Sequence, residues 1–214
     1  MKQVHFGNYH SYVDFSLILS SKTIEAPEPK TESVEVPGSD GIIDLSDYFG
    51  EIKYKNRSLT FEFTAAPQIK LKDFLTLFSK IQNAIHGKRL KIVLDDDPDF
   101  YYIGRVSVNE WKTDKNIGKI TVECDCEPYK YKLNPTVIAL NVVKSADYTY
   151  TNLRKTVVPT ITADAEMQIT FNRNTYSISP GVYTIPEIAF SAGNNIISYA
   201  GTGNVIVEYQ EGGL

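Results

Sequence analysis

The side chains best suited to acid–base or metal chemistry in this sequence are three histidines, one run of aspartates and two cysteines. His5, His10 and His86 do not form an H-E-x-x-H spacing, which would set two imidazoles on one helix face around zinc. None of them adjoins a serine or cysteine in a nucleophile motif. The run Asp95, Asp96, Asp97, Asp99 offers hard oxygen ligands, yet Phe100 stands sixth, where a calcium loop needs glycine, and no glutamate stands twelfth. It reads as a solvated hairpin tip whose charges discourage edge-to-edge pairing, with an interface cation as the lesser alternative. Cys124 and Cys126 fall at alternate positions of an apolar/polar segment and so share one strand face; with no further soft ligand nearby, they read as core hydrophobes. Gly201-Thr202-Gly203 joins two strand-like runs and opens no helix, so it reads as a hairpin turn and not a phosphate cradle. No catalytic, cofactor-binding or metal-ligating residue is assigned.

The elements that must position these residues are mostly strands. A chain of 214 residues buries a core large enough to fold without a disulfide or metal staple. Its 14 Tyr and 10 Phe against 2 Met favour pleated, half-buried surfaces. A net charge of −4 gives no electrostatic footprint for nucleic-acid readout. The N-terminus lacks the pattern of a secretory signal, and no apolar run is long enough for a membrane span. Assembly in a reducing cytoplasm is the expectation.

Charge divides the chain. Residues 1–133 hold 18 Lys+Arg and 20 Asp+Glu, whereas residues 134–214 hold 4 and 6. With Pro135 biasing Asn134 to an extended conformation, a domain boundary is expected there. In the first part, Ser58–Phe63 alternates as a strand, and from about Gln68 to His86 the period changes: Leu71, Phe74, Leu75, Phe78, Ile81 and Ile85 form the stripe of one amphipathic helix. Gly87 then suits its C-terminal end, with Lys88 and Arg89 near its negative pole. Residues 90–94 and 100–103 read as hairpin strands joined through Asp95–Asp99, and Lys115-Asn116-Ile117-Gly118 as the turn into the cysteine strand. One helix among strands predicts an α+β half-barrel or sheet.

The second part carries strand-like runs at 167–171, 176–178, 183–185, 196–199 and 205–209, separated by turn-forming residues, the pattern of an all-β sandwich. Small sandwiches often bind sugars on aromatic platforms. Trp111 lies on an alternating strand of the first part; Tyr148, Tyr150, Tyr183 and Tyr199 fit either a platform or a sandwich core or rim.

In this order the residues resemble the distal tail protein (Dit) family of siphophages and prophages of Gram-positive bacteria. The resemblance is carried by residues 25–31, by 34–41 followed by Ile43-Asp-Leu-Ser, by 87–98, 101–105 and 126–130, and by 158–162 and 203–214. It implies a β-barrel-like ring-forming domain with one helix over 1–133, and a galectin-like β-sandwich over 134–214. It also implies a non-enzymatic, cofactor-free virion subunit: a homo-hexameric ring at the distal end of the tail, joining the tail tube to a tail-associated hub or lysin protein, with receptor-binding or baseplate proteins attached. Binding of host cell-surface or cell-wall glycans is the alternative function. Cys124 departs from the family pattern with no functional consequence expected.

A ring needs large apolar interfaces. The aromatic-rich N-terminal segment, ahead of the core strands, is therefore a candidate interface strand and supplies candidate interface residues, Phe6, Tyr9, Tyr12 and Phe15, which could equally pack on their own barrel.

Overall fold

The computed structural model describes the chain except residues 1–2, 49, 71–72 and 115–116. Two compact units are present, Met1–Lys130 with Leu214, and Tyr131–Gly213. Each has its own apolar core.

The first unit contains β1 (Val4–Phe6), β2 (Tyr9–His10), β3 (Leu17–Ile24), β4 (Ser33–Glu35), β5 (Ile42–Asp44) and β6 (Arg57–Ala65), then α1 (Phe74–Ile85), β7 (Arg89–Leu94), β8 (Asp97–Asp114) and β9 (Ile117–Cys126). Among the described residues, strands β4 and β5 pair only with each other, while the rest form a sheet in the order β2-β1-β7-β8-β9-β6-β3. Alternation buries one face: Leu59, Phe61 and Phe63 on β6, Val106 and Val108 on β8, and Ile120, Val122, Cys124 and Cys126 on β9 share one cluster. Both thiols are free and buried, as their spacing predicts. The sheet's outermost strands are stitched together, because the Leu19 amide donates to Gln3 Oε1 at 3.2 Å and the Leu17 amide to the Ser11 carbonyl at 2.9 Å. This gives the unit its barrel-like character.

Helix α1 closes the core with Ile81 and Ile85, which are 0% and 1% exposed; each burial contributes about 1.5–3 kcal/mol. Phe74 and Phe78 pack on Trp111 with ring centroids 5.3 and 5.5 Å away. The helix is shorter than the stripe predicts: Ile69 turns back to Ala66 and Asp73 to Lys70, so the chain enters helix only at Phe74. Leu75 is 71% exposed, since it sits one residue, about 100° of helical rotation, from Phe74. Leu71 lies outside the described residues, as do Lys115 and Asn116 of the predicted turn. At the C-terminal end Gly87 adopts φ +72° and Lys88 Nζ donates to the Asn83 and Ala84 carbonyls at 3.1 and 2.7 Å.

Two local expectations change. The connection between β7 and β8 is only Asp95-Asp96, because Leu94 already pairs with Asp97. The N-terminal segment does not precede the core sheet: β1 lies inside it, between β2 and β7.

In the second unit, β10 (Lys130–Lys132) crosses the division, followed by β11 (Thr136–Val142), β12 (Ser145–Asn152), β13 (Thr160–Ala163), β14 (Met167–Phe171), β15 (Asn174–Ile178), β16 (Gly181–Thr184), β17 (Gly193–Gly201), β18 (Gly203–Tyr209) and β19 (Gly212–Gly213). Two four-stranded sheets, β11-β18-β13-β16 and β12-β17-β14-β15, make a β-sandwich. Asn172 and Arg173, both with positive φ, form the two-residue turn between β14 and β15. The Gly201-Thr202-Gly203 segment joins β17 to β18 as a turn.

Candidate functional site

The β7–β8 turn gathers charged side chains from three other segments. Register places His5 opposite His10 across β1 and β2, and Val4 opposite Leu94 across β1 and β7, so the residue after Leu94 meets Gln3. The Gln3 amide donates to Asp95 Oδ2 at 2.9 Å, and the Asp95 amide to the Gln3 carbonyl at 3.1 Å. His5 Nε2 then lies 3.5 Å from Asp95 Oδ1 and His10 Nε2 3.8 Å from Oδ2. The two imidazoles meet edge to face with centroids 4.5 Å apart.

Two histidines and a carboxylate this close have the composition of a metal centre, their ligand atoms lying within 4.8 Å of one another. The hydrogen bonding of His10 argues against ligation. Its Nδ1 accepts from the Tyr12 and Val13 amides, each at 3.1 Å, so the Nδ1 lone pair is engaged and the proton of the neutral ring sits on Nε2. A metal at Nε2 would have to displace that proton with Nδ1 still receiving two donors. The trio is instead an electrostatic clasp: one carboxylate holds the N-terminal hairpin through a backbone amide and two imidazoles.

The neighbouring aspartates act alike. Asp96 pairs with Lys22 of β3, and Asp97 with Lys130 at 2.7 Å, the Lys130 ammonium also lying 4.3 Å from the centroid of the Phe100 ring. These three carboxylate side chains are 29%, 22% and 31% exposed. Three of the run's four carboxylates are therefore tied to other segments, which a simply solvated tip does not require, whereas Asp99 is exposed with no ion pair among the described residues.

The candidate interface aromatics separate into two kinds. Phe6 and Phe15 are each 1% exposed and belong to the core, so they present no surface to a partner. Tyr9 and Tyr12 are 38% and 44% exposed, Tyr9 stacking on Phe15 at 5.5 Å. Sequence reasoning overlooked a larger surface. Strands β4 and β5 form an arm in which Val34 directly opposes Ile43. Val34, Val36, Ile42 and Ile43 are 44%, 42%, 62% and 52% exposed. The signal was present, since Ser33–Val36 alternates and Pro37-Gly38-Ser39-Asp40-Gly41 is turn chemistry.

Among the tyrosines weighed as sugar platforms, Tyr150 and Tyr199 are buried in the sandwich, and Tyr148 and Tyr183 are half-buried against its core. Among the described residues no helix is long and apolar enough to cross a membrane.

Residues 7–126 match the model of a family described as the phage tail protein RIFT-related domain. No curated protein matches the chain. Among solved structures, the chain is similar to the crystal structure of SPP1 Dit (gp 19.1), described as a paradigm of the hub adsorption apparatus in phages infecting Gram-positive bacteria. The TM-score is 0.73 at 15% identity, with 100% of each chain covered.

Proposed function

The chain belongs to the phage tail protein family with the RIFT-related domain, and from that premise we propose that it is a distal tail protein. Six copies close into a ring at the distal end of the tail, joining the tail tube to a hub or lysin protein and carrying the adsorption apparatus. The ring is assembled in the cytoplasm of the bacterial host, and its role is structural and not enzymatic. Within it, residues 1–133 form the ring and the galectin-like sandwich of residues 134–214 lies at the periphery.

The observation that carries this reading is the β4–β5 arm. A two-stranded ribbon is marginally stable alone in water, and this one pairs with no third strand among the described residues and leaves its Val34–Ile43 pair uncovered. Such a ribbon is suited to being covered by another molecule. Glycan binding is less supported, because the tyrosines that could form a platform are committed to the sandwich interior or its flank.

Light scattering of the purified protein, alone and with tube and hub proteins, tests the reading. The expected mass is six times the 24.1 kDa subunit. A chain that stays monomeric even with both partners would sink it.

A further inference from the structure

We infer that the β4–β5 arm of one copy docks, by charge, on a basic strip at the β7–β8 edge of the next copy; this rests on the ring reading above. Residues 31–51 carry six carboxylates, Glu32, Glu35, Asp40, Asp44, Asp47 and Glu51, and no lysine or arginine. Among the described residues, Glu32, Glu35, Asp40 and Asp47 have no ion-pair partner. The arm thus presents apolar side chains framed by uncompensated negative charge.

The complementary surface is on the same chain. Arg89 and Arg105 are direct partners across β7 and β8, and Lys91, two residues along β7, shares their face. Arg89, Lys91 and Arg105 are all exposed, and Lys88, at the preceding position, is exposed with its ammonium turned to the end of α1. Like charges placed directly opposite each other destabilise a sheet. Among the described residues, the one ion pair of the strip is Arg89 with Glu127, and Asp125 is the β9 neighbour of Arg105. Their positions are fixed: Arg105 Nη1 donates to the Gly87 carbonyl at 2.5 Å, Lys91 Nζ lies 4.3 Å from the Tyr101 ring centroid, and Lys88 holds the end of α1. A preorganised positive strip is suited to an acidic ribbon, since complementary potentials steer encounter and fix register. Arm and strip are different surfaces of one chain, so their contact is heterologous, the type that closes a cyclic ring when repeated.

Charge reversal tests this. In one variant Glu35→Lys and Asp40→Lys invert the arm; in another Arg89→Glu and Arg105→Glu invert the strip; a third carries all four. Circular dichroism and melting temperature check that each is folded, and Arg89→Ala with Arg105→Ala replaces the strip reversal should that variant unfold. Light scattering is expected to show that either reversal raises the assembly midpoint about tenfold or more. Mixing the two reversed proteins should restore the wild-type mass with the two kinds of copy alternating, because every arm then again meets a strip of opposite charge. The four-substitution chain should regain the wild-type mass. If the arm reversal abolishes assembly but neither strip variant has any effect, the arm docks elsewhere: the inference is overturned and the ring reading stands. If folded wild-type protein never self-associates, with or without its partners, both fall.

Discussion

The hydroxyls of Tyr150 and Tyr199 meet 2.7 Å apart inside the second unit, on residues 0% and 1% exposed. Each satisfies the other in a core that otherwise has little to offer a phenol. Tyr199→Phe is therefore expected to destabilise the unit by about 1–3 kcal/mol, because it strands the Tyr150 hydroxyl. Replacing both by Phe should come closer to wild type than either single change. Urea midpoints of the two single variants and the double variant provide the measurement, and additive losses would refute the pairing.

Alkali should unfold the protein earlier than its surface charges suggest. Burial pushes the Tyr199 phenol from 10.0 up to about 12, and the Cys126 thiol from 9.0 up to about 12. Burial and the Tyr199 neighbour raise Tyr150 as well. Raised acids keep their protons in the fold while the unfolded chain ionises. Their contribution to stability is complete below about pH 9 and is lost as pH climbs towards 12. Denaturant midpoints should fall across that window, and Cys126→Ala should shallow the slope at its lower end. A midpoint independent of pH from 9 to 12 would contradict the assignment.

The clasp predicts an unequal response within one acidic turn. Asp95→Ala removes the acceptor for the Gln3 amide and the charge facing both imidazoles, so a loss of about 1–3 kcal/mol is expected. Asp96→Ala removes an ion pair near the surface, worth about 1 kcal/mol or less. Hydrogen exchange of residues 3–12 should quicken in the first variant and barely change in the second. Because His10 Nδ1 is an acceptor, stoichiometric zinc should leave the His10 resonances in place. A zinc-induced shift there would overturn the tautomer.

Local pattern made much of this fold legible, and pairing between distant segments hid the rest. Alternation at Leu59, Phe61 and Phe63 identifies a strand because burial on one sheet face forces period two, and the Phe74–Ile85 stripe identifies the helix for the corresponding reason. Likewise, alternation puts both thiols of β9 on one face without further information. The His5–His10–Asp95 trio was not legible, because it depends on β1 pairing with a strand nearly ninety residues away. The same pairing buries Phe6, which sequence alone leaves equally available to an interface or a core. The aspartate run misleads for a different reason: identical carboxylates in a row resemble solvated charge, and their partners Lys22 and Lys130 are remote in sequence. The arm was legible as a hairpin, but whether a hairpin is covered is a property of tertiary structure.

Gly104 tests the close packing beneath that structure. It has no side chain where β8 crosses β9, and a Cβ built there would lie 2.4 Å from the Asp125 carbonyl oxygen and 2.5 Å from Cys126 Sγ. The thiol alone could be trimmed, but the carbonyl is backbone within a paired ladder, Gly104 opposing Cys126. Gly104→Ala must therefore push β8 and β9 apart, with an expected loss of about 1–3 kcal/mol or more. Cys126→Ala on the same background should recover little of it, because the nearer obstacle remains. Thermal melting of the single and double variants decides the matter: full recovery would make sulfur the constraint, and no loss at all would mean the strands have room that this geometry denies them.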